Sequence, residues 1–154
     1  MENYEKHYLY PSNLFMSRKP HIVSTILGSC VSVCLYDPVL QVGGINHYML
    51  PLWNGQELAS PKYGNIAIIK LIEKMTSNGS QISNIKAKLF GGGEIIETKV
   101  NTFQIGERNI SVAKEMLESE KIPIVSRSVG GKLGRKILYN TFTGEVGMRF
   151  IEKF

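Results

Sequence analysis

The sequence predicts a mixed α/β domain of the α+β kind: a sandwich of β-sheet layers with two main amphipathic helices packed on the sheet. Three observations lead there. Short runs of β-type residues cluster toward both ends of the chain. Between them the apolar period changes twice to that of a helix. Strands outnumber helices without the strict alternation that a parallel repeat would show. The 154 residues are 43% hydrophobic and 20% charged, which suits one globular domain over residues 1–154 with a core that needs no staples.

The elements follow in order. Residues 1–20, "MENYEKHYLYPSNLFMSRKP", read as irregular and aromatic-rich, punctuated by Pro11 and Pro20. "HIVST", "CVSVCLY" and "VGGINHYML" are β-type runs divided by turn signals such as Asp37-Pro38. In "PKYGNIAIIKLIEKMTSNGS" the residues Ile68, Ile69, Ile72 and Met75 fall at helical spacing, and Asn78-Gly79 makes a C-terminal stop. "NIKAKLFGGG" reads as a strand running into a glycine turn. "IGERNISVAKEMLESEKI" places Ile110, Ala113 and Leu117 on one helical stripe, with Pro123 beyond its end. The tail alternates again through "IPIVSRS", a Gly-rich turn, "KILYNTF" and "EVGMRFIEKF", the last two joined as a hairpin at Thr143-Gly144.

Composition narrows the function. No apolar stretch is long enough to span a bilayer, and the polar N-terminus lacks the pattern of a signal peptide, so a cytoplasmic protein without membrane insertion is expected. The formal charge is +5. Its basic residues are scattered, densest at "GGKLGRK" (130–136), rather than concentrated among aromatics as nucleic-acid binders have them. That patch reads either as a solvated hairpin turn or as a dock for an acidic protein. "FGGGE" lacks the Gly-Lys-Ser/Thr ending of a phosphate loop, and close backbone packing is the better account.

Cys30 and Cys34 are the two cysteines. Four apart in a strand, they lie roughly 13 Å from each other, too far for a disulfide. His7, His21 and His47 lack the spacing of a zinc motif, and no metal is expected. Cys34, between Val33 and Leu35, reads as a packed small side chain. Cys30 follows the turn residues Gly28-Ser29, where free backbone N–H groups can hold an oxyanion, so it is either a buried structural cysteine or a nucleophile. A nucleophile needs a base. His47, seventeen residues on, can face Cys30 if the two runs are neighbouring strands. Asn46, its neighbour, points to the opposite face and cannot orient the ring. Ser24 and Thr25 on the preceding run are the nearest polar candidates.

"LGSCVSV" with "NHYMLP", then "KYGNIAIIKLIEKM", "AKLFGGG", "IGERN" and "GGKLGRKILYNTFTGEV" together resemble the CheD family of chemoreceptor glutamine deamidases, from about residue 7 to 150. The resemblance implies hydrolysis of chosen glutamine amides on chemotaxis receptors and an α/β sandwich. It also implies partnership with CheC-type phosphatases and no metal or organic cofactor. It puts the nucleophile on Cys30 and the general base on His47. The family's third residue, typically a threonine six positions before the cysteine, falls on Ser24, which keeps the hydroxyl but not the methyl. Thr25 should face the other side of a regular strand. Ser128 stands where the family often has an acidic residue before "GG". The oxyanion is expected on backbone N–H groups near Ser29 and Val31, and Trp53 at the rim of the site for substrate or partner. Two alternatives stay open: another cysteine acyl transfer such as transglutamination, and a binding module for receptor or phosphatase that uses the old pocket only for docking.

Overall fold

Among the residues that the computed structural model describes, 4–94 and 104–152, the order is β1 (Glu5–Tyr8), β2 (Leu14–Ser17), β3 (His21–Leu27), β4 (Val31–Asp37), β5 (Val42–Asn46), α1 (Gly64–Ser77), β6 (Lys86–Gly91), α2 (Ile105–Ser119), β7 (Ile124–Val129), β8 (Gly134–Asn140) and β9 (Val146–Ile151). Burial along the strands dictates how they stack. β3 alternates, burying His21, Val23, Thr25 and Leu27 while the residues between them are more exposed, so its sheet is covered on one face. β5 buries every residue and β4 all but Tyr36, so their sheet is covered on both.

Three layers result. One sheet has the order β1-β3-β8-β9 and the other β2-β5-β4-β6-β7. Leu9, Val23, Leu27, Ile137 and Tyr139 meet Cys34, Ile45 and Phe90 between the sheets. On the far side of the five-stranded sheet, Val31, Val33, Leu35 and Leu89 pack under the helices, against Ile68, Leu71, Met75, Ala113 and Leu117. The Tyr139 hydroxyl donates to the Leu35 carbonyl at 2.6 Å, tying the two sheets together. The mixed α/β sandwich expected from the sequence is the observed fold.

α1 covers the predicted stretch and stops where predicted: the Asn78 N–H returns to the Lys74 and Met75 carbonyls, and Gly79 takes φ +106°. Residues 1–20 depart from the reading. They supply two short strands, β1 parallel to β3 and β2 antiparallel to β5, one at an edge of each sheet. Four residues each, they gain their structure from partners distant in the chain rather than from their own pattern.

Candidate active site

The bend at Gly28-Ser29 carries the chain from β3 in one sheet to β4 in the other, and Cys30 stands at that corner. Every carbonyl of the bend is held from one side. Gly93 N–H donates to Gly28 O at 2.9 Å, Asn109 Nδ2 to Ser29 O at 2.9 Å, and Gly92 N–H to Cys30 O at 2.9 Å. The glycine run after β6 is what allows this approach. Gly91 has φ +104°, and a Cβ there would sit 2.2 Å from the Cys30 carbonyl oxygen, so no side chain is tolerated. Gly106 plays the same part in α2, where a Cβ would lie 2.3 Å from Gly92 O.

Register then sets which way the Cys30 and His47 side chains face. β4 and β5 pair antiparallel with Cys34 opposite Ile45, and the bridge of Val31 to Tyr48 continues that register. Cys30 and His47 therefore share the face of Cys34 and Ile45, which looks into the space between the sheets. Cys30 is partly exposed and packs against the inter-sheet cluster, whereas His47 is 2% exposed. The backbone of His47 is pinned by the loop before β2: its N–H donates to Asn13 O at 3.1 Å and its carbonyl accepts from Ser12 N–H at 2.8 Å.

One side chain from the opposite sheet reaches the ring. Thr25 Oγ1 lies 2.7 Å from His47 Nδ1 and 2.7 Å from the Leu9 carbonyl oxygen. A hydroxyl has one proton, and a carbonyl can only accept. Thr25 therefore donates to Leu9 and accepts from Nδ1–H, which leaves the lone pair on Nε2. Nε2 is buried and has no hydrogen-bond partner among the described residues. The ring is held as a neutral base with its accepting nitrogen unspent.

A family model described as CheD chemotactic sensory transduction matches residues 49–150. The chain is 48% identical over 151 residues to the "Probable chemoreceptor glutamine deamidase CheD" of Sulfurimonas denitrificans, covering 97% of each. The chain belongs to the CheD family. It is also 45% identical to the protein of the same name from Trichlorobacter lovleyi, over 92% of this chain and 88% of that one. To "Probable chemoreceptor glutamine deamidase CheD 1" of Anaeromyxobacter dehalogenans it is 36% identical, over 92% and 82%. The family model starts after His47, so it is these longer alignments that take in the segment with Cys30 and His47. No helix among the described residues is long and apolar enough to cross a membrane.

Within this CheD chain several sequence expectations change. Ser24 does not orient the imidazole. It lies on the outer face of β3, in register with Tyr8 and Leu138, which are 42% and 47% exposed, and Thr25 turns inward instead. Val31 does not offer an oxyanion donor, because its N–H is spent on Tyr48 O at 3.1 Å. The N–H groups of Ser29 and Cys30 have no carbonyl partner among the described residues. Trp53 lies in the loop before α1, half-buried, its ring N–H donating to Glu57 O at 2.7 Å within that loop. Nothing among the described contacts brings it to Cys30 or His47. Ser128 accepts from Arg135 Nε at 3.1 Å, and the same guanidinium reaches Gly130 O at 2.8 Å. Asn46, excluded as orienter, accepts the Val33 N–H through Oδ1 at 2.8 Å. Sequence reasoning missed Asn109 altogether, although its place on the buried stripe with Ile110 and Ala113 was visible.

Burial sets the charge state. It pushes the Cys30 thiol up to about 11, opposed by the residue's own backbone N–H. It also lowers the His47 imidazole to about 4. At neutral pH the pair is thiol and neutral imidazole, with no resting ion pair. Stability follows with a definite sign. Between the unfolded value near 6.5 and the folded value of about 4, the unfolded chain binds a proton that the folded ring refuses. That contribution is intact above pH 6.5 and lost as pH falls through the window, about 3 kcal/mol in all. Urea midpoints at pH 7 and pH 4 check it: His47→Asn should show a dependence flatter by that amount.

Proposed function

We propose that the chain is a protein-glutamine deamidase of the bacterial cytoplasm that converts glutamine side chains of chemotaxis receptors to glutamate and ammonia, with Cys30 as nucleophile and His47 as general base and acid. The names of its relatives supply the substrate class. The observation that carries the chemistry is the direction of the Thr25 hydrogen bond, which leaves His47 Nε2 to accept a proton on the face that Cys30 shares.

Nε2 takes the Cys30 thiol proton as sulfur bonds to the amide carbon, and the carbonyl oxygen becomes an oxyanion held by backbone N–H groups of the bend. The imidazolium gives that proton to the departing nitrogen, ammonia leaves and a thioester remains. Water attacks the thioester and gives a proton to Nε2. As the carbon–sulfur bond breaks, the proton returns to sulfur and the product is glutamate. A CheC-type phosphatase is the proposed regulatory partner on the strength of the family resemblance.

The test is incubation of the protein with receptor cytoplasmic fragments, followed by peptide mapping for the amide-to-acid mass shift and assay of free ammonia. Conversion of particular glutamines is the expected result. Receptor capture without conversion would overturn the enzymatic reading in favour of a binding module.

A further inference from the structure

We propose that Asn109 is a positioning residue that aims the backbone N–H of Cys30 at the developing oxyanion, an assignment that rests on the deamidase reading above. A trans peptide unit is planar, so its C=O and N–H point in opposite directions. In the unit joining Ser29 to Cys30, the carbonyl is fixed toward α2 by Asn109 Nδ2 at 2.9 Å. The N–H of the same unit, that of Cys30, is thereby turned away from α2 and has no carbonyl partner among the described residues, a free donor on the very residue whose sulfur attacks. The substrate oxygen would lie one bond from the carbon that joins that sulfur, within reach of the same donor.

The rest of the Asn109 environment fits positioning better than packing. Its second Nδ2 hydrogen goes to Met49 O at 3.0 Å, two residues past His47, so a single amide group spans the nucleophile's bend and the base's segment. Its backbone carbonyl accepts from the Tyr48 hydroxyl, next to His47. The side chain is fully buried among Ile110, Val112 and Ala113, yet Oδ1 has no partner among the described residues. An unsatisfied buried acceptor lowers stability, so the residue is not explained by the core it sits in.

Asn109→Leu keeps the branched shape at this helix position but removes the amide, and Asn109→Ala is a smaller second variant. Three assays are read on each. Turnover of receptor fragment should fall roughly 10- to 100-fold in kcat, since the donor is misaimed rather than removed, with KM within about twofold. Alkylation of Cys30 by iodoacetamide, which needs the thiol and its base but forms no oxyanion, should stay within about twofold of wild type. A receptor peptide with an aldehyde in place of the glutamine amide adds the thiol reversibly and creates the same oxyanion. Its affinity should drop by the same factor as kcat. Equal aldehyde affinity in wild type and variants would overturn the assignment, as would alkylation falling in step with kcat. Wild type that traps the aldehyde but releases no ammonia would sink the deamidase reading alone.

Discussion

Cys30→Ala is expected to end ammonia release, a loss on the order of 10⁴-fold or more, while Cys34→Ala keeps kcat within about twofold. The two thiols differ in setting, not in chemistry. Cys30 is partly exposed at the corner between the sheets, on the face of His47. Cys34 is 1% exposed, packed with Leu9, Val23 and Ile137, and burial raises its thiol well above the ordinary range despite the opposing pull of Lys88. A thiolate is out of reach there. Cys34→Ala should instead lower stability by about 1 kcal/mol through lost packing, read as a shifted unfolding midpoint. Equal loss of turnover in both variants would show that the wrong sulfur has been chosen.

Thr25→Val should lower kcat by roughly 10²- to 10³-fold, whereas Ser24→Ala should change it by less than about threefold. Valine keeps the shape of threonine and deletes only the oxygen that accepts from Nδ1–H. The ring is then free to carry its proton on Nε2, where it cannot take one from sulfur. Thr25→Ser keeps the oxygen and should retain most of the rate. Ser24 faces outward beside Tyr8 and Leu138, and its loss disturbs neither the ring nor the Leu9 carbonyl. Steady-state rates on one receptor fragment decide the matter. A larger loss at Ser24 would mean that β3 is turned the other way in the working protein.

The family resemblance, counting six positions back from the cysteine, pointed to Ser24, and the strand's own pattern offers no check on that count. Val23, Thr25 and Leu27 share one face of β3, but Ile22 and Ile26 make the other face nearly as apolar, so the pattern does not say which looks inward. Only stacking on the second sheet decides it. The spacing of Cys30 and His47 was informative because antiparallel pairing of β4 and β5 is local. The helices were legible from their apolar stripes. β1 and β2 were not, because segments of four residues are too short to show a pattern of their own and become strands only against β3 and β5. Val31 failed as an oxyanion donor for a related reason: its bridge to Tyr48 is a pairing that nothing in "CVSV" announces.

The sheet order has a meaning for biosynthesis. β3 lies between β1 and β8, so the strand that carries Thr25 waits for residues 134–140 before both its edges are filled. A ribosome that has delivered the chain through His47 has made Cys30 and His47, but neither the last strands nor the helix that grips Ser29. Of the sheet that carries Thr25 only β1 and β3 have then been made, and two parallel strands alone do not hold a geometry in water. The setting proposed to activate Cys30 is thus completed only when β8 and α2 have joined the strands made before them.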